Sequence, residues 1–233
     1  MSFIESFIPL GMDIKIPYNE VMVWAAGNGN LDIVKWLHEN REIICTKKAM
    51  DFAASYGHLD IVKFLHENRT EGCTKDAMDW AAGNGHLDVV KWLHENDKAC
   101  TTWAMNTAAE NGHLEVVKFL HENRTEGCTD YAMNFAAAHG HLDVVKWLHE
   151  NGKTCTEKAM NFAVMFGHLE VVKYLHKIGK PCTTDAMYLA VENGYLKMVE
   201  YLYEIGAPYK LKKIIKIAAE NGHLHIVNFF KKK

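Results

Sequence analysis

Apolar residues recur along the chain at helical spacing, in short segments that glycines separate. In residues 58–68, Ile61, Val62 and Leu65 share one helical face and charged residues occupy the opposite face. Residues 46–56 place alanines and a methionine on one face, and Gly57 stands between the two segments. The pattern therefore predicts two short amphipathic helices joined at a glycine corner, with no strand-like alternation.

This two-helix unit is repeated along the whole chain. The twelve residues GHLDVVKWLHEN begin at Gly85 and again at Gly140, and the corner glycine recurs at gaps of 27 or 28 residues. A hairpin of this size cannot bury its apolar faces alone and must stack on its neighbours. The chain is therefore predicted to be an all-α, helix-turn-helix repeat solenoid of about eight repeats. The corner glycines are Gly29, Gly57, Gly85, Gly112, Gly140, Gly167, Gly194 and Gly222.

Residues 81–93 (AAGNGHLDVVKWL) and 108–120 (AAENGHLEVVKFL) closely resemble the core of the ankyrin repeat, and the resemblance covers essentially the whole chain. It implies an ankyrin-like solenoid that binds other proteins and is not an enzyme. The family's repeat is about 33 residues long. The residues missing here fall between Asn68 and Thr74, where the family carries a β-hairpin finger. We therefore expect the fingers to be shortened or absent.

The two ends differ from the interior of the array. We predict an N-terminal capping half-repeat over 1–16, seven repeats over 17–206 and a basic C-terminal capping repeat over 207–233. A terminal repeat needs a polar outer face, because no repeat stacks beyond it. The N-terminal cap is predicted from the apolar residues Phe3, Ile4, Phe7 and Ile8.

Charge and apolar runs restrict the kind of partner. Residues 207–233 contain seven lysines and one glutamate, a net charge of +6, so the preceding residues carry −9 of the total of −3. An acidic array is a poor match for phosphate, and terminal lysines suit the C-terminal end of a helix, so nucleic acid is not expected as a partner. No apolar run approaches the roughly 18–20 residues of a membrane span, and the first residues lack the pattern of a secretory signal.

One cysteine occurs in each internal repeat, always at the same position of the repeat. Stacked helices lie about 8–10 Å apart, whereas the Cα atoms of a disulfide must approach within about 7 Å. We therefore expect reduced, small apolar core residues in a cytoplasmic or other reducing intracellular compartment, the nucleus included. These residues are Cys45, Cys73, Cys100, Cys128, Cys155 and Cys182.

Histidines form two ladders, one after the corner glycine (such as His58) and one near the end of the second helix (such as His66). Zinc needs several ligands that converge on one point, and a ladder spaced by one helix diameter does not converge. Carboxylates and histidines recur at fixed phases, whereas an active site would be a single departure from the repeat, and no catalytic fingerprint occurs. We expect no metal, cofactor, small-molecule substrate or catalytic residue. If either ladder is buried and neutral, stability should fall as pH drops through roughly 6.

The copies differ from one another mainly along the first helix. A stripe at i, i+3 and i+7 lies opposite the alanines, and the first helices of a solenoid line its concave side, so the stripe predicts one long groove. Trp103 and Tyr131 are the expected anchors, because exposed aromatic residues are enriched at protein-binding hot spots. The predicted partner-binding residues are Asp76, Asp79, Trp103, Asn106, Glu110, Tyr131, Asn134, Lys158, Asn161, Met165, Asp185 and Tyr188.

We therefore predict a monomeric, non-enzymatic scaffold that binds an unidentified partner protein through this groove. Neutral drift at unconstrained positions would produce the same variation, so a purely structural array without a specific ligand is the main alternative. A metal-binding or catalytic protein is a third, more remote one.

Overall fold

The computed structural model describes residues 20–39 and 45–233, and every regular element in these ranges is an α-helix, which confirms the predicted all-α repeat solenoid. The predicted N-terminal cap over 1–16 lies outside the described residues. The helices are α1 (Val21–Gly27), α2 (Leu31–Glu39), α3 (Lys47–Ser55), α4 (Leu59–Asn68), α5 (Asp76–Gly83), α6 (Leu87–Glu95), α7 (Thr102–Glu110), α8 (Leu114–Asn123), α9 (Asp130–Ala138), α10 (Leu142–Glu150), α11 (Glu157–Met165), α12 (Leu169–Lys177), α13 (Thr184–Glu192), α14 (Leu196–Glu204), α15 (Leu211–Glu220) and α16 (Leu224–Lys231).

Odd-numbered helices are the first helices of their repeats and even-numbered helices are the second. At the corner between α3 and α4, the Gly57 N–H donates to the Ala54 carbonyl at 3.1 Å and the His58 N–H donates to the Ala53 carbonyl at 2.8 Å. Gly57 has φ 79, in the left-handed region where a side chain is strained. The glycine therefore reverses the chain while the last carbonyls of the first helix remain hydrogen-bonded.

The core runs along the whole array and lies between the two helix layers. In the repeat built from α5 and α6, Met78, Val89, Val90 and Leu93 are completely buried, and equivalent residues are buried in the other interior repeats. Burying one such side chain contributes about 1.5–3 kcal/mol. Because each repeat contributes a similar set, stability is distributed along the axis rather than concentrated in one centre.

First helices pack more closely against one another than second helices do. The first helices meet through small residues such as Ala81 and Ala108, which are fully buried. The second helices are held apart by rings: His66 meets Trp92 edge to face at 5.1 Å between centroids, and the same pairing recurs along the layer. The first helices therefore form the more tightly packed of the two layers.

The corner histidines link each repeat to the one before it. A Cβ built on Gly112 would lie 2.5 Å from Nδ1 of His141, so the imidazole occupies the space that only glycine leaves open. His58 Nε2 donates to the Gly27 carbonyl of the preceding repeat at 3.2 Å. At one interface Tyr195 takes the place of the histidine. Glycine is thus required at the corner for its backbone angle and for its missing side chain.

The connections between repeats are short and contain no strand within the described residues, which confirms that the β-hairpin fingers are shortened or absent. In the loop after α4, Arg69 Nη2 contacts Glu71 Oε1 at 2.6 Å, and Arg124 and Glu126 repeat this ion pair after α8. The hydrogen bond from Arg69 lowers the pKa of Glu71. None of the described helices is long and apolar enough to cross a lipid bilayer.

Candidate functional site

The solvent-facing stripe of α3, α5, α7 and α9 follows i, i+4 and i+8, rather than the predicted i, i+3 and i+7. In α9 and its C-cap, Tyr131 and Phe135 are half-exposed and His139 is exposed, whereas Asn134 is 3% exposed. The residue at i+3 turns towards the following repeat, where it forms hydrogen bonds. We call the surface formed by the i, i+4 and i+8 residues the first-helix face.

The structure distributes the predicted groove residues over three environments. Asp76, Trp103, Lys158 and Asp185 are exposed, and Glu110, Tyr131, Asn161, Met165 and Tyr188 are half-buried. Asp79, Asn106 and Asn134 are 7%, 4% and 3% exposed, and this corrects the predicted groove at three positions. Their polar groups bond to the next repeat and do not belong to a surface that a partner could contact.

These buried residues form a polar clamp between repeats. The Thr101 N–H and Oγ1–H donate to the two carboxylate oxygens of Asp79 at 2.8 and 2.6 Å. At the next interface, the Thr129 N–H donates to Asn106 Oδ1 at 3.0 Å and Asn106 Nδ2 donates to Thr129 Oγ1 at 3.1 Å. Aspartate and asparagine thus form equivalent pairs of hydrogen bonds with the threonine at the same position of the next repeat. The clamp also joins Asp51 to Thr74, Asn134 to Thr156 and Asn161 to Thr183.

The clamp is missing at the first and last described interfaces. Val23 occupies the aspartate position of α1, and the Oγ1 atom of Thr46 across from it is buried without a hydrogen-bond partner. Near the other end, Tyr188 replaces the asparagine and Leu211 replaces the threonine. The five interior interfaces therefore share a polar connection that the outer ones lack.

Four aromatic side chains, Trp103, Tyr131, Phe135 and Phe162, form a continuous surface that we call the aromatic patch. Tyr131 stacks on Phe135 with ring centroids 3.9 Å apart, Trp103 meets Tyr131 edge to face at 5.3 Å, and Phe135 meets Phe162 at 5.5 Å. Trp103 is 52% exposed. The patch therefore combines an exposed indole with rings already fixed by their neighbours.

Tyr131 is fixed at its hydroxyl as well as at its ring. The hydroxyl donates to Glu110 Oε2 at 3.0 Å. Burial, together with the hydrogen bond and negative charge of Glu110, raises the pKa of Tyr131, so its hydroxyl remains a donor at neutral pH. Tyr131 is thus held at both its ring and its hydroxyl, and Trp103 is the more exposed of the two predicted anchors.

A second group of rings, Phe52, Tyr56 and Trp80, lies earlier on the same face, and we call it the upstream cluster. Phe52 stacks on Tyr56 at 6.3 Å and meets Trp80 at 5.6 Å. Tyr56 and Trp80 are 56% and 41% exposed. Thr107, which packs against Gly83, occupies the position of α7 where other first helices carry a ring. It therefore separates this cluster from the aromatic patch.

Charge differs along the layer of first helices. The helices α7, α9 and α11 carry the aromatic patch, and together with the following helix α13 they contain five acidic residues and one lysine: Glu110, Asp130, Glu157, Asp185, Glu192 and Lys158. The upstream cluster is flanked instead by Lys47, Lys48 and Lys75, with Asp76 as the exposed acid. The aromatic patch therefore has the more acidic surroundings of the two groups.

The sequence prediction missed Phe52, Trp80, Phe135 and Phe162. The signal was present, because an aromatic residue usually follows the aspartate or asparagine of the repeat and lies four residues after the start of the stripe. Both i+3 and i+4 are neighbours of i on a helix. The near-uniform aspartate or asparagine indicated an interior role, and the aromatic residue next to it indicated the exposed face.

The cysteines offer little reactive chemistry. All six are free thiols that are buried or half-buried, and burial raises the pKa of each, to about 11 for Cys100. A thiol with a raised pKa is mostly protonated at neutral pH and is therefore a poor nucleophile and metal ligand. No group of three or more potential ligands that could hold a metal ion occurs in the part of the chain that the structure describes.

An open cavity of about 320 Å³ lies between the loops that follow α12 and α14. It is lined by His176, Lys180, Cys182 and Ile205, among others. His176 Nδ1 is hydrogen-bonded to the Tyr201 hydroxyl at 3.0 Å, and burial raises the pKa of the Cys182 thiol. This cavity therefore presents no activated nucleophile.

Comparison with known families gives one match. A family model described as ankyrin repeats (3 copies) matches residues 3–79, 22–102, 78–159 and 133–213. The overlapping matches together extend over most of the chain. No curated protein matches it.

Proposed function

The chain belongs to the ankyrin repeat family, as its sequence predicted, and from this premise we propose that it is a scaffold that binds a partner protein on its first-helix face. Ankyrin repeats are generally protein–protein interaction modules, and the family is typically non-enzymatic. We propose that this chain likewise acts without catalysis, as a monomer in a reducing intracellular compartment. The six free, buried or half-buried thiols support that compartment.

The aromatic patch is the observation that carries the proposal. Trp103 leaves about half of its surface in water, although Tyr131, Phe135 and Phe162 hold the surrounding rings in place. A fixed ring loses little conformational freedom on binding, so more of its burial contributes to affinity. Tryptophan and tyrosine in such positions are typical of binding hot spots, where truncation to alanine costs about 2 kcal/mol or more.

The distribution of sequence variation supports the same face. Second helices repeat one outer pattern, as in Asp88, Lys91 and Glu95 of α6, and first helices change theirs from repeat to repeat. At the outer position that begins the stripe, α5 has Asp76 and α7 has Trp103. A uniform layer suits a supporting role, whereas a varied layer can distinguish partners.

The test is affinity capture with the double variant Trp103→Ala/Tyr131→Ala. Wild-type protein and a control variant, Leu224→Ala, should recover a common stoichiometric partner from host lysate, and the double variant should lose it. Leu224 is a suitable control because it is 66% exposed and lies in the last repeat, outside the patch. Unchanged far-ultraviolet circular dichroism would show that the double variant is folded. Recovery of the same partner by the double variant would refute the proposed site.

A further inference from the structure

We infer that the aromatic patch receives a cationic side chain of the partner, an arginine by preference, beside Trp103. The inference rests on the proposed function and specifies the chemistry of the partner at that site. It follows from how the molecule covers its other aromatic rings, from the charge around the patch and from the shape of the guanidinium group.

Lysines of the molecule itself lie over several of its other partly exposed rings. The ammonium nitrogens of Lys91 and Lys146 each lie 5.8 Å from a ring centroid in the second-helix layer, over Phe119 and Tyr174. Such contacts are favourable because the face of an aromatic ring carries negative charge density. Cation–π coverage is thus a recurring feature of this array.

The same contact also occurs between two first helices. Lys213 of α15 places its Nζ 3.9 Å from the ring centroid of Tyr188, which holds the clamp position of α13. This is the shortest such distance among the described residues. A cation can therefore approach a ring of the first-helix layer closely. In the described part of the chain, no cation–π contact reaches a ring of the aromatic patch, which leaves that position open to a cation from outside.

The charge around the patch complements a cation. The four first helices that carry and follow the patch contain five carboxylates and one ammonium group. One of these carboxylates, Glu110, is held at the patch by the hydroxyl of Tyr131 at 3.0 Å. Clustered charge of one sign raises the local concentration of oppositely charged ligands and speeds their association.

A guanidinium group fits this arrangement better than an ammonium group. It is planar, stacks on aromatic faces and donates in a fork to a carboxylate, whereas lysine presents a compact and strongly hydrated charge. Trp103 offers the exposed ring, Glu110 ends the same helix, α7, and Glu157 begins α11, which packs on the other side of α9. The upstream cluster, with Lys47, Lys48 and Lys75 around it, lacks this complementarity and serves as an internal control.

The test is selection of random twelve-residue peptides displayed on phage against the folded, full-length protein. Selected peptides whose binding requires Trp103 should be enriched in arginine and depleted in aspartate and glutamate. One of them, made synthetically, should bind at least ten-fold more weakly to Trp103→Ala and to Glu110→Gln/Glu157→Gln. It should also bind more weakly when its arginine is replaced by glutamine, or when NaCl is raised from about 50 to 500 mM. Trp80→Ala and Glu67→Gln are matched controls and should leave binding unchanged.

The outcomes separate this inference from the proposed function. Peptides that require Trp103 but are uncharged or acidic would overturn the cationic ligand and leave the binding face standing. Peptides that bind equally well to Trp103→Ala, Trp80→Ala and wild-type protein would refute both. Equal affinity of the arginine peptide and its glutamine version would also overturn the cationic ligand.

Discussion

The two helix layers connect neighbouring repeats by different physical means. First helices approach closely through buried alanines and add a polar clamp, as between Asn106 and Thr129. Second helices stand further apart and meet through rings, as between His121 and Trp147, whose centroids lie 5.1 Å apart. The clamp depends on hydrogen-bond geometry, whereas ring contacts tolerate changes of identity, and phenylalanine, tryptophan and tyrosine all occur at the second-layer position.

The difference explains how the outer face of the first helices can vary. The buried alanines and the clamp fix the spacing and register of these helices. The outward residues at i, i+4 and i+8 are not needed for that packing and can therefore vary. The ring contacts of the second layer come from residues nearer its own surface. Loss of a ring there would disturb packing, although one ring can replace another, and the second-layer sequence is correspondingly uniform.

The corner glycine connects both layers, and its substitution should have the largest effect. Gly112→Ala places a Cβ 2.5 Å from His141 at φ 79. The left-handed backbone costs about 1–2 kcal/mol and overpacking a further 1–3 kcal/mol. We expect a loss of about 2–5 kcal/mol in the free energy of unfolding, measured with urea.

Gly127→Ala is the matched control for this substitution. Gly127 has φ 68, and a Cβ there meets nothing within 4 Å, so only the backbone cost of about 1–2 kcal/mol applies. The double variant Gly112→Ala/His141→Ala should lose less stability than the sum of the two single variants, because removal of the imidazole relieves the clash. Equal losses for Gly112→Ala and Gly127→Ala would contradict the interlock between glycine and histidine.

Removal of one clamp should be the next largest effect. Asn134→Ala removes two hydrogen bonds to Thr156, each 3.0 Å long, and a typical internal hydrogen bond contributes about 1 kcal/mol. We expect a loss of about 2 kcal/mol in the free energy of unfolding, measured with urea. Asn134→Asp should retain most of the stability, because Asp79 makes the equivalent bonds elsewhere. An equally large loss with aspartate would show that the bonds are not interchangeable.

The clamp also shows what the sequence could predict. The regular spacing of the corner glycines and the positions of the apolar residues were sufficient to predict the helices, the solenoid and the short connections, because the same unit occurs eight times. Phase on the first helix was harder to predict, since i+3 and i+4 lie on adjacent sides of a helix. Asn134 and Phe135 differ by one position, and only the Thr156 loop of the next repeat decides which is buried. A single helix carries no signature of a contact between repeats, and only comparison of the copies, with their near-uniform aspartate or asparagine, indicates it.

A ring of the second layer should matter less than a clamp. His121→Ala removes an edge-to-face contact with Trp147, and such pairs contribute about 0.5–1.5 kcal/mol beyond the area they bury. We expect a loss of about 1–2 kcal/mol by the same measurement. His121→Phe should recover most of it, because a phenyl ring can fill the position. A loss larger than that of Asn134→Ala would reverse the proposed ranking of the two layers.

A substitution at the first described interface should stabilise the protein by about as much as a single hydrogen bond does. Val23→Asn places an amide opposite Thr46, whose buried Oγ1 atom has no partner. A typical internal hydrogen bond contributes about 1 kcal/mol, so we expect the thermal midpoint to rise slightly. Val23→Thr is the control of similar size that cannot reproduce the clamp. A fall in stability with asparagine would show that the clamp needs the geometry of the interior interfaces.

The smallest effect concerns protons at the corner. Burial lowers the pKa of His113 and His141 below the ordinary value of 6.5. The unfolded chain therefore binds protons at a pH where these folded imidazoles do not, and stability, intact above about 6.5, should fall as pH decreases through the folded pKa values. The thermal midpoint should accordingly drop between pH 7.5 and 5. His113→Tyr/His141→Tyr should reduce that drop, because tyrosine does not titrate there and Tyr195 already packs on Gly167 in the same position. A drop of equal size in the double variant would place the pH dependence outside these two corners.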